Sequence, residues 1–458
     1  MGDKYNIFFV GLLFFVPVGI VIARSNARAL NLVFIALVFG TTQPETIFGL
    51  PTDINFLSRE WYRGSTRGIE ISYLDLLALI LFFASLSVRA QERVPFVRLP
   101  SYGFLKAFFV WALLTVLLVS EPKIFGVLEL TKIFRAIVLF LAVSAFIRSP
   151  DQVRLFVYAL VAIVCYEATV ALYDRYFLGI HRIRGTLPHP NSLSMYSLMI
   201  LPIMISVSFA QDISKRLKRL CLLASLLIAG IIILTISRTG FASLVIITFF
   251  ALLLNIRSQW TTRNIGVTAL IIAVGSGMVV KSWDSLNSRY ASFEFENEYM
   301  TEEGDRGSYF RKGMPALEDN PIFGVGLNNW SYWISNRYAE KAGYDTEPYP
   351  SIDFAPNSNR QEAPAHNLYL ITVVELGVVG LLLMIALFGR WLYISGNGLT
   401  KTKGDLLDRV RIGAFLSLCG VLMQSVTEWE FRQTSLFFLG HIVMSVAAFI
   451  YHTKKESQ

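Results

Sequence analysis

The sequence predicts an all-α polytopic membrane protein with about 12–13 transmembrane helices and one large polar loop outside the cytoplasm, and three observations carry that reading. Hydrophobic residues fill 54% of the 458 positions and charged residues only 16%, with a mean hydropathy of +0.52, well to the apolar side of a soluble domain. The apolar residues fall in runs of about 20, the length a helix needs to cross a bilayer core. Basic residues sit in short clusters between those runs.

On the span template, helices are expected near 6–23, 29–47, 71–88, 101–120, 125–147, 154–177, 191–210, 219–236, 240–256, 264–281, 366–389, 410–427 and 434–451. The first has a long apolar core without a small-residue cleavage site and is read as a retained helix. The second contains Thr41, Thr42, Gln43, Pro44 and Glu45, so its outer half is read as broken or interfacial. Cys165, Cys221 and Cys419 each lie inside an apolar run, which leaves no disulfide framework or zinc site to read.

Lysine and arginine set the orientation. Arg89, Arg93 and Arg98, then Lys215, Arg216, Lys218 and Arg219, then Arg257 and Arg263, then Arg390, Lys401, Lys403 and Arg409 fall on one side if every span crosses. By the positive-inside rule that side is the cytoplasm. The formal net charge of +8 is thus accounted for by topology, and nucleic acid is not an expected partner.

The opposite side receives 41–70, the 178–190 loop, the tight turn at Ser237–Gly240 and all of 282–365. This gives three parts: N-terminal helices over 1–281, a large loop over 282–365, and C-terminal helices over 366–458. The loop carries Trp283, Trp330 and Trp333, so part of it is expected to fold. Ser308 to Glu318 reads as a short helix stopped by Asn320-Pro321. Gly324 and Gly326 then suggest a turn pressed against the membrane surface.

Isolated cations on the loop side break the positive-inside pattern. Arg184 sits in Arg184-Gly185-Thr186-Leu187-Pro188-His189-Pro190-Asn191, Arg238 in Ser237-Arg238-Thr239-Gly240, Arg306 ahead of the loop helix, and His366 at the start of the next span. A guanidinium keeps its charge and offers a planar fork of donors, so converging arginines suit a phosphate or diphosphate. Helix starts at 191 and 366 would add positive dipole ends. Arg182 is read as an interfacial anchor, and His181 and His189 as structural.

His366-Asn367, nine residues, then Gly377-Val378-Val379-Gly380 resembles the HN-x9-G-x-x-G signature of the O-antigen ligase and Wzy-type polymerase superfamily. Arg306 followed by Pro321-Ile322-Phe323-Gly324-Val325-Gly326 resembles its Arg and P-x-x-G-V-G segment. Ser237-Arg238-Thr239-Gly240 resembles its S-R-x-G turn, and Arg184-Gly185 with Pro190-Asn191 an R-G and P-N element. The resemblance spans roughly residues 180 to 385.

It implies a GT-C-like bundle and a metal-independent inverting glycosyltransferase without cofactor, in the bacterial inner membrane with its site facing the periplasm. The donor would be a glycan on undecaprenyl diphosphate, and the acceptor a hydroxyl of a glycan, lipid A core or protein. Arg238 and Arg306 would hold the diphosphate, Arg184 would be a lesser contact, and His366 would be the catalytic histidine. An imidazole can take the proton of the attacking hydroxyl, while arginines stabilise charge on the leaving diphosphate. Ligase and polymerase share these residues.

Other charges lie in or near the spans. Glu129, Lys132 and Arg135 share one helix, and Glu167 and Asp174 the next; they are either a proton relay or intra-bundle pairs. A relay would make the chain a proton-coupled transporter or flippase, although no internal repeat supports one. A non-catalytic envelope scaffold would leave the four loop-side cationic residues without a purpose. Asp75 reads as a lone carboxylate near a helix end. Glu375 lies about half a turn off the helical face of His366 and is not paired with it. Glu428 and Glu430 either face the cavity or are solvated.

Overall fold

The computed structural model describes residues 9–42, 46–47, 50–51, 53–94, 96, 99–257, 261–284, 287–288, 305–356, 360–399 and 404–456. Gln43, Pro44, Glu45, Arg98, Lys401 and Lys403 lie outside them. The described chain is an all-α polytopic membrane protein. Its sheet content is limited to two short antiparallel ribbons, Thr46–Ile47 with Leu50–Pro51 and Asp53–Phe56 with Ile69–Ser72.

In chain order the long helices are α1 (Val16–Ser25), α2 (Ala27–Phe39), α3 (Tyr73–Gln91), α4 (Tyr102–Leu118), α5 (Lys123–Phe146), α6 (Pro150–Tyr176), α7 (Pro190–Ser208), α8 (Lys215–Leu234), α9 (Arg238–Arg257) and α10 (Thr262–Lys281). They continue with α11 (Asp305–Asp319), α12 (Leu368–Gly396), α13 (Leu406–Gln424) and α14 (Thr434–Glu456). Among the described residues, eight helices are long and apolar enough to cross a membrane: α3, α6, α7, α8, α9, α10, α12 and α14. The remaining expected spans are shorter apolar helices, α1, α2 and α4, or helices that carry buried charge, α5 and α13. A helix satisfies its backbone groups within one segment without water, which is why apolar runs of this length fold as a helical bundle.

Local signals set the ends. Ser72 and Asp75 form a capping box on α3, and Ser149 and Gln152 on α6. Pro190 opens α7, where its missing N–H costs nothing, and Asn367 caps α12 by accepting from Leu370 N. Every residue of α7 after Pro190 is buried, so this helix is the axis of the bundle, whereas α10 is almost wholly peripheral. Ser192, Ser194, Ser197, Ser206 and Ser208 on α7 are small enough to let α8, α9 and α13 pack close around it.

The expected loop helix spans Asp305–Asp319. The glycine turn after it docks into a break in α12. Gly377 leaves helical geometry at φ 68°, ψ −177°, which frees the carbonyls ahead of it. Val325 N donates to Val374 O and Gly326 N to Glu375 O, both at 2.9 Å. The indole of Trp111 donates to Leu376 O at 2.9 Å, and Val378 N donates back to Pro321 O at 2.8 Å. A Cβ at Gly377 would lie 1.9 Å from Ile322 O, so the close approach itself demands glycine. The two glycine elements of the sequence are the two halves of this seam.

Candidate functional site

The site is assembled around the turn between α13 and α14. Three helix starts clasp that turn. Gln424 Nε2 donates to Asn191 O at 3.1 Å, at the start of α7. Leu368 N donates to Ser425 O at 3.0 Å and Asn367 Nδ2 to Val426 O at 2.8 Å, at the start of α12. Thr427 Oγ1 donates to Thr239 Oγ1 at 3.0 Å, at the start of α9. Gly240, one residue on, allows that contact, because a Cβ there would fall 1.9 Å from Ser194 Oγ on α7.

Glu428, 1% exposed, is the centre. Its Oε2 lies 2.8 Å from His366 Nδ1, while its Oε1 accepts from Asn191 Nδ2 at 2.6 Å and from Arg306 Nη2 at 3.3 Å. A carboxylate on Nδ1–H holds the neutral imidazole with its lone pair on Nε2, the arrangement a general base needs. His366 is about a third exposed and Arg306 less, so both reach from the buried carboxylate toward an accessible face. The Tyr309 ring stands 5.9 Å from the His366 ring.

Arg306 and His366, named from the sequence, are thus brought together. Arg238 is the first residue of α9, half-buried, next to the Thr239–Thr427 contact. Arg184 is exposed and lies within electrostatic reach of Asp174.

His189 caps α7 at the site: its Nδ1 accepts from Asn191 N at 3.2 Å and stands 3.9 Å from Glu430 Oε1. Burial, then the charges of Arg182 and His366, hold this imidazole below its ordinary range, so it is neutral and the contact with Glu430 is not an ion pair. Arg182 donates to Thr235 O at 3.2 Å and to Asn191 Oδ1 at 3.4 Å. Asp75 is not a lone carboxylate; Arg135 reaches it at 2.8 Å. Glu428 and Glu430 are buried rather than solvated.

Sequence reasoning also missed a buried ionic hub beneath the turn. Arg432 pairs with Glu375 at 2.7 Å and with Glu129 at 3.3 Å, and Lys132 pairs with Glu129 at 2.7 Å while donating to Arg432 O at 2.5 Å. Glu375 further accepts from Asn328 N at 2.9 Å and Trp330 N at 3.1 Å. The hub joins α5, α12, the large loop and the Glu428 turn, so Glu129 and Lys132 are an intra-bundle pair. Glu167 binds the backbone N–H and hydroxyl of Thr186, with no cation among its described partners. Glu428, Glu430 and Arg432 share one short run, Glu428-Trp429-Glu430-Phe431-Arg432. Its one signal was three charges in a turn too short to solvate them all.

Ligating atoms of His366, Glu428 and Glu430 lie within 4.8 Å of one another, the spacing of a possible cation site. The donor set argues against it, because both oxygens of Glu428 already serve His366, Asn191 and Arg306, and a guanidinium beside them repels a divalent ion.

The sequence model of the O-antigen ligase family matches residues 223–385, which contain Arg238, Arg306, His366 and both halves of the glycine seam. No curated protein matches the chain.

Proposed function

From the premise of an O-antigen ligase domain over residues 223–385, we propose that this chain is a metal-independent inverting glycosyltransferase. It moves a glycan from undecaprenyl diphosphate to an acceptor hydroxyl on the periplasmic face of the bacterial inner membrane. The three-part division at 281/282 and 365/366 belongs to the same proposal. The observation that carries the reading is the meeting of Arg306 and His366, from opposite ends of the loop, on one buried carboxylate.

The polyprenyl tail stays in lipid, which keeps the diphosphate at the helix ends. Arg306 and Arg238 hold it there, with Arg184 a lesser contact. Glu428 orients His366, whose Nε2 takes the proton of the acceptor hydroxyl as that oxygen bonds to the anomeric carbon. The bond from that carbon to the diphosphate oxygen breaks on the opposite face and the centre inverts. The arginines stabilise the charge that the leaving diphosphate collects. The donor brings its own leaving group, so no cofactor enters the scheme.

The test is transfer by the purified protein in liposomes from an undecaprenyl-diphosphate glycan. Lipid A core, a protein and a second lipid-linked glycan are offered as separate acceptors. Product on one acceptor assigns ligase or polymerase, and His366→Ala and Arg306→Ala should abolish it. Full activity in both variants removes the mechanism.

A further inference from the structure

Glu428 and Glu430 flank Trp429 in one turn, and both are almost completely buried, at 1% and 2% exposure. Their surroundings are unequal. Glu428 receives His366, Arg306 and Asn191. Among the described residues Glu430 Oε2 has no hydrogen-bond partner, and Oε1 stands 3.9 Å from His189 Nδ1, a nitrogen that is itself accepting from Asn191 N. Carboxylate oxygens of Glu430 and Glu428 also lie within 4.8 Å of each other. The cations nearest in sequence and space bind other groups: Arg432 pairs with Glu375 and Glu129, and Arg182 donates to Thr235 O and Asn191 Oδ1. An ionised Glu430 would therefore be a second buried negative charge beside the first, with no side-chain donor hydrogen-bonded to it among the described residues.

We propose that Glu430 carries a proton in the resting protein and donates it toward Glu428, so that the buried carboxyl pair presents His366 and Arg306 with a single negative charge. A proton turns the unpartnered Glu430 carboxylate oxygen into a donor, with a Glu428 carboxylate oxygen within 4.8 Å of the Glu430 carboxylate to receive it. Burial first, and the Glu428 carboxylate second, push Glu430 well above the usual carboxylate range, in agreement with the geometry. Like-charged carboxyls at such range share a proton, and the apparent titration belongs to the pair. Glu430 is then a positioning residue: it fixes how much negative charge stands behind the histidine without touching substrate.

The catalytic consequence rests on the glycan-transfer reading, but the protonation does not, and the experiment separates them. Infrared spectra of the reconstituted full chain at neutral pH are compared between the native protein and Glu430→Gln. A carboxylic-acid carbonyl stretch that shifts in heavy water and disappears in Glu430→Gln is expected. An unchanged band in that difference, or no such band in the native protein, overturns the proposal whatever the enzyme's substrate. Should Glu430→Gln fail to fold, a pH titration of the native band serves alone, and its absence at every pH near neutrality is equally decisive. In the transfer assay, Glu428→Gln should lower kcat/KM at least about tenfold more than Glu430→Gln, because the amide imitates a protonated acid at 430 but removes a required charge at 428. Equal losses overturn the assignment of the proton to Glu430.

Discussion

His366 Nδ1 lies 2.8 Å from Glu428 Oε2, although one residue opens α12 and the other follows α13. The contact converts a helix-end histidine into a ring of defined orientation and tautomer. It also places a guanidinium, Arg306, on the same carboxylate, so base and anion-binding cation are held by one support.

If that support orients the base, Glu428→Gln should lower kcat by roughly a hundredfold or more while changing donor KM much less, the usual scale for disturbing a general base. Steady-state transfer kinetics with varied donor would check it. A loss confined to KM would assign Glu428 to binding instead.

The hub predicts a large stability effect from a single charge. Arg432→Gln leaves Glu375 and Glu129 short of their buried partner and should destabilise by about 3–5 kcal/mol, the cost of breaking a buried pair from one side. Arg337→Ala, which removes an exposed pair with Asp319, should cost less than about 1 kcal/mol. Thermal unfolding of both variants in the same detergent would test the contrast.

Gly377→Ala should open the seam between α12 and the loop. Its Cβ would meet Ile322 O at 1.9 Å and its φ of 68° disfavours any side chain, so a cost of at least about 1–3 kcal/mol is expected. Limited proteolysis should cut the 321–330 stretch faster in the variant; an unaltered digestion rate would show that the seam does not hold the loop.

Glu430 predicts a pH dependence of stability. A carboxyl whose folded value is raised binds its proton more tightly when folded, so its contribution favours the fold below the ordinary carboxylate range. That contribution fades as pH rises through the ordinary value toward the raised one. Between those limits the native protein should lose stability with increasing pH, and Glu430→Gln should flatten that slope. Melting temperatures recorded from acid to neutral pH would decide it, and parallel curves would contradict the raised value.

The expected spans reappear as helices because apolar length, prolines at helix starts and capping residues such as Ser149 and Asn367 act over a few neighbouring residues. Arg238, Arg306 and His366 drew attention for a related reason: isolated cations that break the expected positive-inside pattern stand out locally. Glu428 was harder to read. An acidic residue in a loop-side turn looks solvated until the starts of α7, α9 and α12 close over it. The partners of Arg182 and His189 were illegible for the same reason, since what an interfacial arginine or a capping histidine contacts depends on what lies across from it.

The amino-acid sequence alone determined that this chain is a helical membrane protein and which cations stand apart from its topology, since hydrophobic length and the sign of flanking charge are properties of contiguous residues. Tertiary structure alone decided that Arg306 and His366 share Glu428, that Glu430 is buried close beside it, and that two glycine elements form one seam. Those facts depend on distances between segments far apart in the chain, and burial in a medium of low polarity then sets which of the charges must be paired and which must be neutral.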